Sequence, residues 1–315
     1  MGDAAVIFPG QGAQAVGMGR DVAEFSAKAR AVFDRANDLL DIDLAGVCFD
    51  GPADQLERTD IQQPAIFVAS VAIWEAFLDA GGRREAFSWA AGLSLGEYTA
   101  LHVSGSLGFE DALRLVRRRG QLMQEASAAV PSGMVSLVGA DQAAARALCD
   151  QAREGEVLGP ANFNCPGQIV ISGGKRACER AVALASQLGY RAVALPVAGA
   201  FHSPLMETAA TGLWPVLKET SFIPSSGMVV VANVDAGTHV EEAAIRESLR
   251  RQVTQPVLWQ RCIERMIEEG ACRFYEVGPG RVLTGLMRKI NRKVLAINVS
   301  TRDSITSAVA TLMSA

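Results

Sequence analysis

Residues 87–105 place the tightest constraint on the fold. Phe87-Ser88-Trp89-Ala90-Ala91 reads as an apolar strand, Gly92-Leu93-Ser94-Leu95-Gly96 as a tight turn, and the amphipathic run ending near Gly105 as a helix. A Gly-x-Ser-x-Gly set between a strand and a helix matches a turn so sharp that only glycine fits on either side of the serine. Such a turn leaves the serine hydroxyl exposed and the next backbone N–H free to stabilise an oxyanion. Ser94 is therefore the candidate nucleophile. The bland alternative, a surface serine on an ordinary turn, is disfavoured by the strand before it and the helix after it.

The remainder of the chain alternates in the same way. A first strand over residues 5–8 runs into Pro9-Gly10-Gln11-Gly12-Ala13-Gln14, a loop whose backbone is suited to approach a ligand. The lysine and Ser/Thr of a phosphate-cradling loop are missing after it. Helices are expected over 23–40, 64–80 and 109–128. From 133 to 197 the order becomes β-α-β-β-α-β, with strands at 135–138, 157–163, 168–172 and 191–195 and helices at 141–152 and 175–188. That order suits a split βαβ domain of ferredoxin-like form inserted into a larger one. Beyond it come a helix through Leu217, a strand at 228–233, helices at 243–251 and 257–269, and a strand at 273–277. A further helix, a strand at 294–298 and a C-terminal helix complete the chain. Strands alternating with helices on both sides of the insert predict a mainly parallel α/β sheet.

Composition narrows the functional classes. A chain of 315 residues, 49% hydrophobic and 20% charged, describes a well-packed globular protein of one large and one smaller domain. No stretch reads as long and apolar enough to cross a bilayer, and the opening residues lack the basic start of a signal peptide, so no membrane association and a cytoplasmic location are expected. The six cysteines have no metal or redox spacing and there are three histidines, so no metal is expected and the thiols read as reduced and mostly buried. A net charge of −4 gives no case for nucleic acid. Local basic clusters at Arg117-Arg118-Arg119 and from Arg288 to Lys293 suit solvated helix ends or a small acidic protein partner.

In the 109–128 helix, residues placed 100° apart put Ala112, Leu115, Val116, Leu122, Met123 and Ala126 on one arc. Arg114, Arg117 and Arg118 fall outside it, whereas Arg119 falls inside. An arginine on an apolar face either snorkels outward or is held by an anion, a structural carboxylate or the carboxylate of a substrate. A serine nucleophile also needs a base. His102 lies at the end of the helix after the elbow, and His239 follows the turn Asp235-Ala236-Gly237. His202 opens a helix where the insert returns the chain to the larger domain, the best of the three placements for meeting Ser94.

These residues resemble the malonyl-CoA:acyl carrier protein transacylases and the related acyltransferase domains of polyketide synthases. The resemblance rests on Phe8-Pro9-Gly10-Gln11-Gly12, Gln63-Pro64-Ala65, Gly92-Leu93-Ser94-Leu95-Gly96-Glu97-Tyr98 and Arg119-Gly120-Gln121-Leu122-Met123-Gln124. It continues through Asn162 to Gln168, Gly199-Ala200-Phe201-His202-Ser203, Asn233-Val234-Asp235, Arg251-Gln252 and Glu276-Val277-Gly278-Pro279-Gly280. It implies an α/β-hydrolase-like large domain at 1–131 and 198–315 with a small ferredoxin-like domain at 132–197.

It further implies ping-pong transfer of a malonyl group from coenzyme A to a holo acyl carrier protein. Ser94 would be the nucleophile, His202 the base, and the N–H groups of Gln11 and Leu95 the oxyanion hole. A backbone carbonyl at Gln252 would orient the histidine. Arg119 would bind the malonyl carboxylate, Gln63 and Asn162 would line the acyl pocket, and Phe201 would crowd a substituent on the α-carbon. Coenzyme A and phosphopantetheine are then substrates and no cofactor is implied; a monomer is expected. Leu93 departs from the histidine that many relatives carry before the serine, a supporting residue and not the base. The alternative is a hydrolase that clears acyl groups from carrier proteins, which would use Ser94 and His202 but gain nothing from Arg119 on uncharged chains.

Overall fold

The computed structural model describes residues 3–225 and 227–314. In chain order the strands are β1 (Ala4–Phe8), β2 (Phe87–Gly92), β3 (Ser132–Val138), β4 (Leu158–Cys165), β5 (Gln168–Gly174), β6 (Arg191–Ala194), β7 (Val229–Val230), β8 (Arg273–Val277) and β9 (Leu295–Val299). They form two sheets. One is parallel, ordered β7-β2-β1-β8-β9, and the other antiparallel, ordered β4-β5-β3-β6.

The parallel sheet is covered on both faces, which is why β1 and β2 are buried at every position instead of alternating. Successive side chains of β1 feed opposite cores. Ala4, Val6 and Phe8 join the core around the helix Thr59–Asp79, and Ala5 and Ile7 join the one around Trp259, Cys262 and Phe274. The chain leaves β1 for β2 on one side and places β8 on the other. The switch in strand order therefore falls between β1 and β8, and the loop after β1 borders it at the carboxyl end, where α/β sheets bind ligands.

Thr59–Asp79 begins five residues earlier than Pro64, where the sequence placed its start. Proline supplies no N–H to the carbonyl four residues back, and the side chain of Arg117 donates to that carbonyl of Asp60 instead. By length and composition this helix is apolar enough to span a bilayer, with mean hydropathy 1.4, which corrects the expectation that no stretch is. It is the central core helix, with 89% of that window buried inside the protein.

Two further corrections are local. The helix expected over 23–40 is two, Arg20–Phe25 and Ala27–Leu40, because Ser26 turns extended and its hydroxyl accepts from the Ala29 N–H as an N-cap. Two short helices not read from the sequence, Leu44–Asp50 and Ala53–Glu57, follow it.

The antiparallel sheet has the ferredoxin-like order expected of the insert, with the helices Gln142–Ala152 and Lys175–Gln187 packed on Val135, Leu137, Ile169 and Ile171. The alternate residues Met134, Ser136 and Val170 face the other way and line a cavity shared with the parallel sheet's loops.

Candidate active site

The elbow is built by close backbone approach. A Cβ at Gly92 would lie 1.9 Å from the Gly96 carbonyl carbon, and one at Gly96 would lie 2.3 Å from the Phe8 carbonyl oxygen, so neither position admits a side chain. Ser94 sits between them at φ 54°, a left-handed conformation that a non-glycine residue adopts only when its surroundings impose it. Asn233 imposes it from both sides: its Nδ2 donates to the Gly92 carbonyl at 2.8 Å and its Oδ1 accepts from the Ser94 N–H at 2.7 Å. Gln252 adds a third restraint, donating Nε2 to the Ser94 carbonyl at 2.9 Å.

His202 enters from the loop that follows β6 and places Nε2 2.8 Å from Ser94 Oγ. Its Nδ1–H donates to the Gln252 carbonyl at 2.7 Å, which leaves the Nε2 lone pair facing the serine hydroxyl. The ring is 5% exposed. Burial first, and the nearby Arg119 charge second, push its pKa down to about 3 against the pull of the Gln252 carbonyl. The imidazole is thus held neutral and able to accept a proton.

Arg119 is 1% exposed, and the helix Phe109–Ala129 turns it inward as the periodicity required. Among the described residues no carboxylate touches it. Its Nη1 donates to Gln63 Oε1 at 2.7 Å, and its Nη2 donates to Gln252 Oε1 at 2.9 Å and to Ser94 Oγ at 3.1 Å. The guanidinium also lies 5.5 Å from the centre of the Tyr98 ring. Of the two anions open to it from sequence, a directly paired structural carboxylate is absent among the described residues, and its fork ends beside the serine hydroxyl.

The Gly10 backbone packs so closely on the elbow that a Cβ there would meet the Leu93 carbonyl at 2.2 Å, which brings Gln11 alongside Ser94. Among the described residues, neither the Gln11 nor the Leu95 N–H donates to an internal acceptor. Both are therefore available to an oxygen at the serine.

A cavity of about 350 Å³ opens over Ser94 and His202. Gln11, Asn162, Phe201 and Leu93 are on its wall. Gln63 is not. It is fully buried behind Arg119, while its neighbour Gln62 reaches the wall, so the polar residue implied for the pocket lining instead braces the guanidinium. The other histidines stand apart from the serine: His102 Nδ1 donates to the Leu107 carbonyl at 3.0 Å, and His239 Nε2 donates to Glu97 at 2.6 Å.

Sequence reasoning missed three polar residues under the elbow. Asn233, Glu97 and His239 are all buried and linked, with Glu97 Oε2 accepting from the Asn233 N–H at 3.1 Å and from Gln252 Nε2 at 2.7 Å. Asn233 and Glu97 lie within motifs that carried the resemblance, but their pairing joins residues more than 130 positions apart and leaves no trace in local spacing.

Residues 6–307 match the family described as acyl transferase domain. The malonyl CoA-acyl carrier protein transacylase of Bacillus subtilis (strain 168) is 41% identical over 314 residues, covering 99% of this chain and 98% of that protein. The solved malonyl CoA-acyl carrier protein transacylase from Coxiella burnetii has a TM-score of 0.95 at 36% identity, covering 99% of this chain and 98% of its own. A malonyl-transacylase solved in complex with its type II PKS acyl-carrier protein has a TM-score of 0.93 at 40% identity, covering 98% and 99%. Sequence and fold agree over almost the whole length, and this chain belongs to the malonyl-CoA:acyl carrier protein transacylase family of acyl transferases.

Proposed function

We propose that this protein moves a malonyl group from coenzyme A to the phosphopantetheine thiol of an acyl carrier protein through an ester on Ser94. Ser94 Oγ attacks the thioester carbonyl while its proton passes to His202 Nε2, the neutral acceptor 2.8 Å away. The oxyanion that forms is met by the N–H groups of Gln11 and Leu95. Collapse breaks the C–S bond, and the departing thiolate takes the proton back from His202. The carrier thiol then gives its proton to His202 and attacks the ester, and Ser94 leaves as the hydroxyl.

The observation that carries this reading is Arg119, a buried cation with no paired carboxylate among the described residues, whose Nη2 lies 3.1 Å from the nucleophile. An acyl group ending in a carboxylate supplies the missing anion; a neutral chain leaves the guanidinium unpaired. The clamp also favours transfer over hydrolysis by holding the ester in one pose until the carrier thiol arrives.

The carrier is read as docking beside the helix Val282–Ile290. Val282 and Gln168 both line the cavity, and Lys289 Nζ donates to Gln168 Oε1 at 3.1 Å, so the cluster from Arg288 to Lys293 borders the mouth. Arg117, in the other cluster, is taken up by Asp60.

Initial rates with malonyl-CoA and a holo carrier protein both varied test the reading. Parallel double-reciprocal lines that vanish in Ser94→Ala support it. Intersecting lines, or turnover that survives Ser94→Ala, sink it, and malonate released equally fast without the carrier moves the assignment to a hydrolase.

A further inference from the structure

Among the described residues, Glu97 and His239 form a buried acid–histidine pair that the acyl-transfer steps do not use. Glu97 is fully buried in the first turn of the helix Gly96–Val103, and the His239 side chain is 2% exposed. His239 is carried there by the turn after Asn233: Ala232 N–H donates to the Gly237 carbonyl, and His239 N–H donates to the Val230 carbonyl, returning the chain alongside β7. A buried carboxylate is retained only when its oxygens are matched by donors. Here Oε1 has His239 Nε2 at 2.6 Å, and Oε2 has Gln252 Nε2 at 2.7 Å and the Asn233 N–H at 3.1 Å.

Gln252 is the residue on which the two halves of the site converge. Its backbone carbonyl holds His202, and its side-chain Oε1 holds Arg119. An amide has one donor end and one acceptor end, and nothing in its shape says which end points where. Glu97 decides it. With a carboxylate on one side, Nε2 must face Glu97, so Oε1 must face Arg119; the reverse orientation would set N–H groups against the guanidinium and an oxygen against the carboxylate.

We infer that His239 is a positioning residue for acyl-group selection. By pinning Glu97 it fixes the Gln252 amide, and through that amide the plane in which Arg119 presents its fork to a carboxylated acyl group. The inference rests on the proposed malonyl transfer. The hold on His202 runs through the Gln252 main chain, and Ser94 keeps its two restraints from Asn233 when the amide's bond to its carbonyl loosens, so the loss falls mainly on Arg119. Malonyl transfer should therefore lose more than acetyl transfer, which does not use the fork.

The test compares kcat/KM for malonyl-CoA and acetyl-CoA, at fixed holo carrier protein, in His239→Leu, His239→Asn and His239→Gln. Gln places an amide nitrogen where His places Nε2 and restores the donor to Glu97; Asn is one bond short, and Leu has no donor. The malonyl-to-acetyl ratio should fall about tenfold in the Leu and Asn proteins, as expected when about 1.4 kcal/mol is lost from one substrate only, and should return to within about threefold of the parent in the Gln protein. Should the Leu protein fail to fold, the Asn and Gln proteins carry the comparison. An unchanged ratio in the Asn or Leu protein, whatever its melting temperature, overturns the inference, as does a Gln protein that behaves like Asn. A parent protein that moves malonyl while all variants keep its ratio sinks this inference alone; a parent that moves no malonyl sinks the functional reading as well.

Discussion

Replacing Arg119 with alanine separates the clamp from the rest of the chemistry. In the structure Nη1 and Nη2 are held by Gln63 and Gln252 at 2.7 and 2.9 Å, so the fork is already oriented before an acyl group arrives. A carboxylate gripped by two such N–H groups gains two hydrogen bonds to charged partners, each worth about 1.5–3 kcal/mol, or about 3–6 kcal/mol together. At about 1.36 kcal/mol per factor of ten, Arg119→Ala should lower kcat/KM for malonyl-CoA by about 10² to 10⁴. Acetyl-CoA offers no carboxylate, and the one contact it would lose is the 3.1 Å bond from Nη2 to Ser94 Oγ. By the same figure that one bond is worth about 1.5–3 kcal/mol, so its kcat/KM should fall by about 10 to 10², less than for malonyl-CoA. The assay is stopped-time transfer to a holo carrier protein from each thioester, with folding checked by circular dichroism. Equal losses for the two acyl groups in a folded variant would refute the clamp and leave Arg119 as a buried structural cation.

Four other outcomes follow from the structure. Because burial and Arg119 hold the His202 pKa down to about 3, the acid limb of kcat/KM should lie well below the 6.5 of an ordinary histidine, and Arg119→Ala, by removing a cation, should move that limb upward on a pH–rate profile. The unfolded chain protonates this histidine below about 6.5 and the folded one only near 3, so the unfolded state binds more protons between these values. The contribution of His202 to stability is then intact above about 6.5 and is lost as pH falls through that window, measurable by urea melts at successive pH values. Gly96→Ala puts a Cβ 2.3 Å from the Phe8 carbonyl and should lower the thermal midpoint and abolish acylation together; a variant with parent stability would show that the elbow is looser than described. Glu276, fully buried, accepts from the N–H groups of Leu283 and Thr284 at 2.8 Å each, so Glu276→Ala should cost about 2–4 kcal/mol in denaturant unfolding by orphaning the first turn of Val282–Ile290.

How much of this was legible in the sequence depended on whether the cause was local. The elbow was, since glycine is forced by backbone distances within a few residues. So was Arg119, because helical periodicity fixes which face a residue takes. The insert's strand order was readable from apolar runs and turns. The start of Thr59–Asp79 was hidden because proline marks a helix start only if nothing else satisfies the carbonyl it abandons, and Arg117, more than fifty positions away, does so. Gln63 and Gln62 differ by about 100° around a helix, and which of them faces the cavity depends on where Arg119 sits in a different helix. The Glu97–His239 pair joins chain segments 142 positions apart, and each residue alone reads as an ordinary polar side chain.

The proposed transfer requires Ser94 to carry a malonyl ester on its way to a carrier thiol. Intact mass spectrometry after brief mixing with malonyl-CoA or acetyl-CoA, repeated after adding a phosphopantetheinylated carrier protein, addresses it most directly. A malonyl adduct is expected that is absent in Ser94→Ala, forms preferentially over acetyl, persists without the carrier, and passes to the carrier's thiol when it is added. An adduct lost to water equally fast without the carrier, or formed equally with acetyl, would contradict that transfer.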